Sequence, residues 1–242
     1  MEILAIIPAR GGSKGIVNKN IRVFAGKPLI AHTIDVSKKS RHITRTVVST
    51  DSKRIADVAK TCGAEVPFLR PSEFSGDHAK ITDAIVHLLQ TMRAEMNYRP
   101  EVIVLLQPTS PLRTALDVDN AIDLLLTRGA PAVVSVCRTE QLLFTKDEKG
   151  KLLMVSDEVF LHSSNRQELK DTYKLDGSMV YALPTEVFLK EKSFLPNGTI
   201  GYEIPRWRAV DIDEPQDFLV GELVFENRKK IEQSLKKFHE RV

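Results

Sequence analysis

The chain has 242 residues, of which 42% are hydrophobic and 28% charged, and its formal net charge is +3. This composition is typical of one globular domain, and the small net charge argues against a general affinity for nucleic acid. No run of about 18 apolar residues is present, so we expect no membrane interaction. The first apolar run is too short for a signal peptide. Cys62 and Cys137 lack C-x-x-C spacing, so we expect free thiols in a cytoplasmic protein.

The first strand and the loop after it are the most informative stretch. Residues 3–7 (ILAII) are short, rich in β-branched side chains and halted by Pro8, as in a buried parallel strand. Residues 9–15 (ARGGSKG) then bring three glycines and two cations, and Lys19 and Arg22 follow. Glycines let backbone N–H groups approach a phosphate closely, and Arg and Lys neutralise its charge. The loop therefore predicts a polyphosphate site at the carboxyl end of the first strand.

Two common phosphate-binding motifs are absent from this loop. It has neither the G-x-x-x-x-G-K-[ST] spacing of P-loop proteins nor the G-x-G-x-x-G fingerprint of dinucleotide-binding proteins. Both absences argue against an ATPase and a dehydrogenase. A surface turn with solvated charges is the alternative, and the preceding strand together with the excess of cations favours anion binding.

Strands and helices alternate through the first half of the chain. We predict strands at 3–7, 44–51, 64–69 and 102–106, and helices at about 29–39, 52–62 and 81–96. This alternation predicts an α/β fold, a parallel sheet with covering helices.

Two polar loops in this half could contact a ligand. Gln107–Arg113 (QPTSPLR) follows the clearest central strand, at the sheet edge where ligands bind in open α/β folds. Its alternative role is to cap the helix that starts near Ala115. The earlier loop, 70–80, could place Arg70 and Asp77 toward a ligand or could simply connect two elements.

The regular alternation of strands and helices ends in the second half of the chain. After a strand at 132–136, we predict that residues 138–176 form a long excursion with a hairpin around 147–150. Such excursions are usually functional, disordered or used in oligomers. The pattern then predicts strands at 179–183 and 199–204, a short helix at 185–190 and an amphipathic helix at about 215–238.

Val210–Pro215 (VDIDEP) is a candidate metal site. Residues two apart on an extended segment point to the same side, so Asp211 and Asp213 could present two carboxylates to one hard cation such as Mg²⁺. The alternative is helix capping, since Asp213 with Gln216 fits a capping box.

Taken together, the motifs resemble one family. PARGGSKG-x-x-x-KN, STD, LLQPTSPLR, a DG pair before a strand and DIDEPQD occur in that order over about residues 3–225. This order resembles the CMP-sialic acid synthetases, cytidylyltransferases that activate nonulosonic (nine-carbon 2-keto) acids. The resemblance implies a doubly wound, mostly parallel, Rossmann-like nucleotidyltransferase fold. It also implies a single domain over 1–242, with 138–176 as a dimerisation and substrate-covering excursion of a homodimer.

The resemblance also implies the site residues. The nucleotide, CTP, would be bound by Arg10, Gly11, Gly12, Ser13, Lys19, Asn20, Arg70 and Asp77. The sugar acid would be bound by Gln107, Thr109, Ser110, Arg166, Lys174 and Asp176, partly across a dimer contact. Asp211 and Asp213 would hold Mg²⁺, with Mn²⁺ as an alternative ion, and Lys19, Arg10 and Asp211 would be catalytic.

The implied reaction is nucleotidyl transfer. The anomeric 2-hydroxyl of the sugar acid attacks the α-phosphorus of CTP and pyrophosphate leaves, so the protein mainly positions groups and neutralises charge. One departure concerns the sugar. Lys174–Gly177 (KLDG) stands where the family commonly has Arg-Pro-Asn-Gly, which removes a bidentate fork and an amide. We therefore expect a relative of sialic acid, such as a di-amino legionaminic- or pseudaminic-type acid.

Three other readings are weaker. A CMP-Kdo synthetase would carry a first loop closer to ARYGSSRLPGKPL, without the KGIVNKN stretch seen here. A sugar-1-phosphate nucleotidyltransferase would carry a G-T-R-L pattern, which is missing. A non-catalytic nucleotide-binding regulator would not need Lys19, Asp211 and Asp213 together.

Overall fold

The computed structural model describes residues 1–12, 15–76, 79–139, 144–155, 171–175 and 179–239. Ser13, Asp77, Arg166 and Asp176, which are predicted site residues, lie outside these ranges. Within them, no helix combines the length and apolar character that crossing a membrane requires.

The elements follow the predicted order. The strands are β1 Ile3–Pro8, β2 Val23–Phe24, β3 Lys27–Pro28, β4 Arg45–Ser49, β5 Val102–Leu105, β6 Val133–Thr139, β7 Phe144–Lys146, β8 Leu152–Met154, β9 Thr172–Leu175, β10 Tyr181–Pro184 and β11 Ile200–Glu203. The helices are α1 Leu29–Lys39, α2 Lys53–Thr61, α3 Ile81–Met96, α4 Ala115–Arg128, α5 Thr185–Glu191 and α6 Pro215–His239. Short 3₁₀ turns cover Lys19–Ile21, Ser72–Phe74 and Arg206–Arg208.

One mixed sheet forms the centre, in the order β11-β6-β10-β5-β1-β4, and β9 also pairs with β6. β1 runs parallel to β4 and β5, and β6 runs parallel to β11. β10 is antiparallel to both β5 and β6, and β9 is antiparallel to β6. Most strands therefore point the same way, which confirms the predicted mostly parallel α/β fold.

Helices cover both faces because side chains alternate along β1. Ile3, Ala5 and Ile7 belong to a core that includes side chains of α1, α2 and α4. Leu4 and Ile6 belong to a second core with side chains of α3 and α5. A strand buried on both faces explains why residues 3–7 are apolar without alternation.

The predicted third strand at 64–69 is wrong. Only Glu65 pairs there, through a single bridge to Val47. Its N–H donates to the Thr46 carbonyl at 2.9 Å and its carbonyl accepts from the Val48 N–H at 2.8 Å. Pro67, which has no N–H to donate, follows two residues later, so the ladder cannot continue past it.

The predicted hairpin around 147–150 is confirmed. β7 and β8 pair antiparallel, and the Asp147 carboxylate accepts from the Lys149 and Lys151 N–H groups at 2.9 and 2.8 Å. Gly150 takes a φ of 84°, a left-handed conformation that suits glycine.

The strand order places the ligand-binding edge. The chain moves from β1 outward to β4, then returns to the other side of β1 as β5. The order reverses between β1 and β5, and in open α/β sheets ligands bind at the carboxyl ends of the strands beside such a point. The loop after β1 and the loop after β5 meet there.

Candidate active site

A cleft of about 720 Å³ opens where these two loops meet. Many of the predicted residues line it, and they come from distant parts of the chain: Arg10, Lys19, Asn20, Arg70, Gln107, Thr109 and Asp213. Residues to which the sequence interpretation gave no role complete the wall, among them Phe74, Ser75, Ile81 and Glu214.

The loop after β1 is held from two sides. The Gly11 N–H donates to Asp51 Oδ1 at 2.8 Å, so the turn at the end of β4 fixes the beginning of the loop. Farther along, a Cβ added to Gly15 would lie 2.3 Å from the Asp213 carbonyl oxygen. Glycine at position 15 therefore permits the close approach of the loop to residues 211–213, the acidic segment. A Cβ added to Gly12 would have no heavy atom of the described, non-adjacent residues within 4 Å.

Lys19 joins the first loop to the acidic segment. Its Nζ donates to the Ile212 carbonyl at 2.7 Å and lies 3.0 Å from Asp213 Oδ1. The Lys19 side chain is 13% exposed, whereas that of Asp213 is 70% exposed. Next to it, the buried Asn20 donates from Nδ2 to the Arg10 carbonyl at 3.1 Å, which fixes the backbone of the loop.

The acidic segment is anchored through its middle residue. Ile212 is fully buried, and its N–H donates to the Thr109 carbonyl at 2.9 Å. Asp211 and Asp213 flank it and are exposed, as expected for alternating residues of an extended segment. The anchor ties the acidic segment to the loop after β5.

Desolvation raises the pKa of the Asp211 carboxyl above its usual value, although the residue as a whole remains exposed. The nearby Asp213 charge adds to this rise, and Thr109 and Lys19 oppose it. Among the described residues, none makes a hydrogen bond of ordinary geometry with the buried Thr109 hydroxyl, so Thr109 lowers the pKa of Asp211 only through a weak contact. Two carboxylates close enough to repel each other form a site that favours a cation.

Helix capping does not occupy Asp213. The Asp217 carboxylate accepts from the Asp213 and Glu214 N–H groups at 3.1 and 2.8 Å, so these two backbone donors at the beginning of α6 have their acceptor in Asp217. The predicted alternative, a capping box of Asp213 with Gln216, is therefore wrong. The Asp213 carboxylate faces Lys19 and the cleft instead.

The donor set fits a Mg²⁺ ion that shares its ligands with a substrate. In the described part of the chain, no three His, Cys, Asp or Glu side chains come together as a metal site. Mg²⁺ often takes only one or two carboxylates from the protein and completes its shell with phosphate oxygens and water. Two exposed aspartates beside a cationic cleft match that pattern.

Arg70 forms part of the wall. It is 7% exposed, and its guanidinium donates to Ser49 Oγ at 3.1 Å and to the Phe74 carbonyl at 3.5 Å. Burial lowers the pKa of Arg70, and the Asp51 charge opposes that shift. Arg70 thus orders the 70–76 loop along the cleft.

Arg113 is a buried residue that the sequence interpretation quoted but gave no role. It donates to the Gln107 carbonyl at 2.7 Å and to Thr33 Oγ1 at 3.1 Å, and also to the Met179 carbonyl. These bonds fasten the loop after β5 to α1 and to the start of β10. Asp51, which accepts from the Gly11 N–H, was also quoted without a role. The only signal in the sequence for Arg113 and Asp51 is that each lies inside a short motif at a strand end.

Some predicted residues do not reach the cleft. Ser110 is fully buried within the loop after β5. Lys174 lies on β9, opposite Cys137 of β6, and is exposed away from the cleft lining. Gly11 and Asp211 adjoin the cleft without being part of its lining.

Comparison with known proteins identifies the family. The family model described as Cytidylyltransferase matches residues 4–234. The chain is 36% identical over 236 residues to CMP-N,N'-diacetyllegionaminic acid synthase of Legionella pneumophila, covering 93% of this chain and 97% of that protein. It is 32% identical over 234 residues to N-acylneuraminate cytidylyltransferase of Streptococcus agalactiae, where it spans 54% of the longer protein and 93% of itself.

Further similarities extend to more distant proteins. Pseudaminic acid cytidylyltransferase of Campylobacter jejuni is 28% identical over 228 residues, with 93% of this chain and 97% of that protein covered. A CMP-2-keto-3-deoxy-manno-octonic acid synthetase solved with CTP superposes with a TM-score of 0.69 at 16% identity, covering 94% of this chain and 100% of that one. At that identity the likeness concerns the fold alone. The motifs, the fold and these matches agree, and the chain belongs to the cytidylyltransferase family.

Proposed function

We propose that this chain transfers the CMP group of CTP to the anomeric 2-hydroxyl of a nonulosonic acid and releases pyrophosphate. One observation carries the proposal. The cation-rich loop after β1 and the acidic segment meet in one cleft, where Lys19 Nζ lies 3.0 Å from Asp213 Oδ1. A site with fixed cations and exposed carboxylates suits a nucleoside triphosphate and its divalent ion.

The preferred acid is a di-amino one of the legionaminic type. The relative that is 36% identical carries that acid in its name and matches along 97% of its own length. The Lys-Leu-Asp-Gly sequence at 174–177, in place of Arg-Pro-Asn-Gly, supports a sugar that differs from sialic acid in its substituents.

Most of the catalytic assistance is positioning and charge neutralisation. Arg10 and Lys19 would face the phosphates, and Lys19 would stabilise the charge that grows on the α-phosphate. The Gly11 N–H is already committed to Asp51, so we assign Gly11 to shaping the loop rather than to phosphate contact. Asp211 and Asp213 would hold Mg²⁺, which when bound neutralises phosphate oxygens and the leaving pyrophosphate.

The remaining assignments concern the sugar acid and the assembly. Gln107 and Thr109, both in the cleft wall, would contact the sugar acid. Lys174, together with Arg166 and Asp176, would reach the site of a partner subunit in a homodimer. The excursion exposes apolar side chains such as Phe144, which supports its use as an interface. We also propose that the enzyme acts in the cytoplasm.

The test is pyrophosphate release from CTP and Mg²⁺ with legionaminic, pseudaminic, sialic and Kdo acids offered in parallel. We expect release with the di-N-acyl legionaminic acid and little with Kdo. Release with Kdo alone would move the chain to the eight-carbon branch. Tight CTP binding without pyrophosphate release in the presence of any of these acids would instead favour a non-catalytic nucleotide-binding regulator.

A further inference from the structure

A buried ion pair lies just upstream of the acidic segment. The Arg208 guanidinium donates to both carboxylate oxygens of Asp117, at 2.5 and 2.8 Å. The two side chains are 15% and 3% exposed. Arg208 ends the 3₁₀ turn of residues 206–208, and Asp117 lies in the first turn of α4.

The Asp117 carboxylate is itself fixed by the beginning of α4. It accepts from the Thr114 N–H at 2.8 Å and from the Thr114 hydroxyl at 2.6 Å, and the Thr114 hydroxyl accepts from the Asp117 N–H at 3.2 Å. This capping box holds the carboxylate rigidly, at the end of the loop that follows β5. Arg208 therefore donates to a carboxylate whose position is already fixed by the helix.

Only two residues separate this pair from the acidic segment. The Val210 N–H donates to the Arg208 carbonyl at 2.8 Å across Ala209, whose φ of −75° and ψ of 57° are those of an inverse γ-turn. A three-residue turn of this kind leaves little slack, so a displacement of Arg208 reaches Asp211 directly.

Burial of such a pair is not explained by stability alone. Removing two charges from water costs nearly as much as their attraction returns, and buried ion pairs are better attested as devices that fix one arrangement. We propose that Arg208, through Asp117, is a positioning residue that sets the placement of the Asp211–Asp213 carboxylates for a divalent cation. The proposal rests on the proposed function, because it assumes that these carboxylates hold the ion.

The experiment measures Mn²⁺ binding by electron paramagnetic resonance, at saturating CTP and without sugar acid, so that no turnover occurs. The Arg208→Gln variant should lower the Mn²⁺ affinity about tenfold, as replacement of outer residues at metal sites commonly does. Arg208→Lys keeps the charge without the two-pronged geometry, so its Mn²⁺ affinity should fall between those of wild type and Arg208→Gln. Since Arg208→Gln strands the Asp117 charge, the double variant Arg208→Gln/Asp117→Asn is measured as well and should show the same loss.

The chain offers a control pair with the same two-pronged geometry. Arg45 donates to both carboxylate oxygens of Glu65, at 2.7 and 2.6 Å, and the two side chains are 20% and 46% exposed. This pair lies where β4 begins, at the sheet edge opposite the cleft. Arg45→Gln should lower the melting temperature less than Arg208→Gln, because Glu65 is more exposed than Asp117, and should leave Mn²⁺ affinity unchanged.

The outcomes separate the two proposals. Equal Mn²⁺ affinity in wild type and Arg208→Gln, or an equal loss in Arg45→Gln, would overturn the positioning role. Asp211→Ala serves as the reference for the site itself. If wild type bound Mn²⁺ no better than Asp211→Ala, the metal assignment of the proposed function would fail, and the positioning role would fail with it.

Discussion

At the scale of single residues, the site depends on how closely its parts approach. The Asp213 carbonyl oxygen lies 2.3 Å from where a Cβ of Gly15 would be, a distance that no ordinary contact reaches. Lys19 adds a charged contact to the same segment. The residue types were predictable from the sequence. Their contacts were not, because Lys19 and Asp213 lie 194 positions apart and local patterns carry no information on such pairs.

Gly15→Ala should displace the acidic segment. The added methyl group must push the Asp213 backbone away, at a cost of about 1–3 kcal/mol of unfolding free energy. Thermal unfolding should show a lower melting temperature, and Mn²⁺ binding should weaken. Gly12→Ala, whose added methyl group meets none of the described, non-adjacent residues, should keep the wild-type melting temperature. An unchanged melting temperature in Gly15→Ala would contradict the close approach.

Lys19→Ala should slow the reaction more than it weakens CTP binding. The charge that Lys19 meets grows in the transition state, so we expect kcat to fall about 10²–10³-fold. Steady-state kinetics, with CTP affinity measured by calorimetry, would separate the two effects. Equal losses in rate and affinity would mean that Lys19 only binds the nucleotide.

At the scale of elements, apolar patterns predicted the strands and helices well where burial decides them. β1, β5 and α3 follow from runs or periodicities of apolar residues. The segment 64–69 misled the prediction, because its apolar residues pack against the core without a ladder of backbone hydrogen bonds. The role of Asp117 in tying α4 to the turn at 206–208 had no local signal at all.

The pair between these two elements predicts a dependence on pH. Burial alone would raise the pKa of Asp117, but the hydrogen bonds and charge of Arg208 outweigh it and hold that pKa below its usual value. A lowered folded pKa stabilises the fold above the unfolded pKa of about 4, and this contribution is lost as pH falls through the folded value. Urea unfolding of wild type should show this loss on acidification below about pH 4. Asp117→Asn should lose less over the same interval, and parallel curves would contradict the assignment.

At the scale of the whole molecule, the strand order determines which loops meet at the cleft, and no sequence motif specifies that order. The reversal between β1 and β5 brings the loops after both strands to one edge, and the acidic segment joins them there. The carboxyl-edge location was predictable from the α/β pattern. The antiparallel direction of β10 was not predictable, because a buried strand has the same apolar pattern whether it runs parallel or antiparallel to its neighbours.

The excursion should mediate dimerisation. Leu153 and Leu175 are 45% and 43% exposed on β8 and β9 and are two of several large apolar side chains that the excursion exposes, and exposed apolar patches mark interfaces. Sedimentation velocity should give a dimer for wild type and a monomer for Leu153→Glu/Leu175→Glu. Leu219→Glu, at a residue 64% exposed on α6, should remain dimeric. A monomeric wild type, or dissociation of the α6 variant, would contradict this interface.

The contact between Lys19 and the Ile212 carbonyl spans 193 positions, which sets an order of events during synthesis. At about 5–20 residues per second, roughly 10–40 s pass between synthesis of the loop after β1 and synthesis of the segment that it contacts. Until then the nascent chain carries the cations of the cleft without the carboxylates that balance them. The cleft is therefore completed only after Asp213 has been made, long after the loop that follows β1.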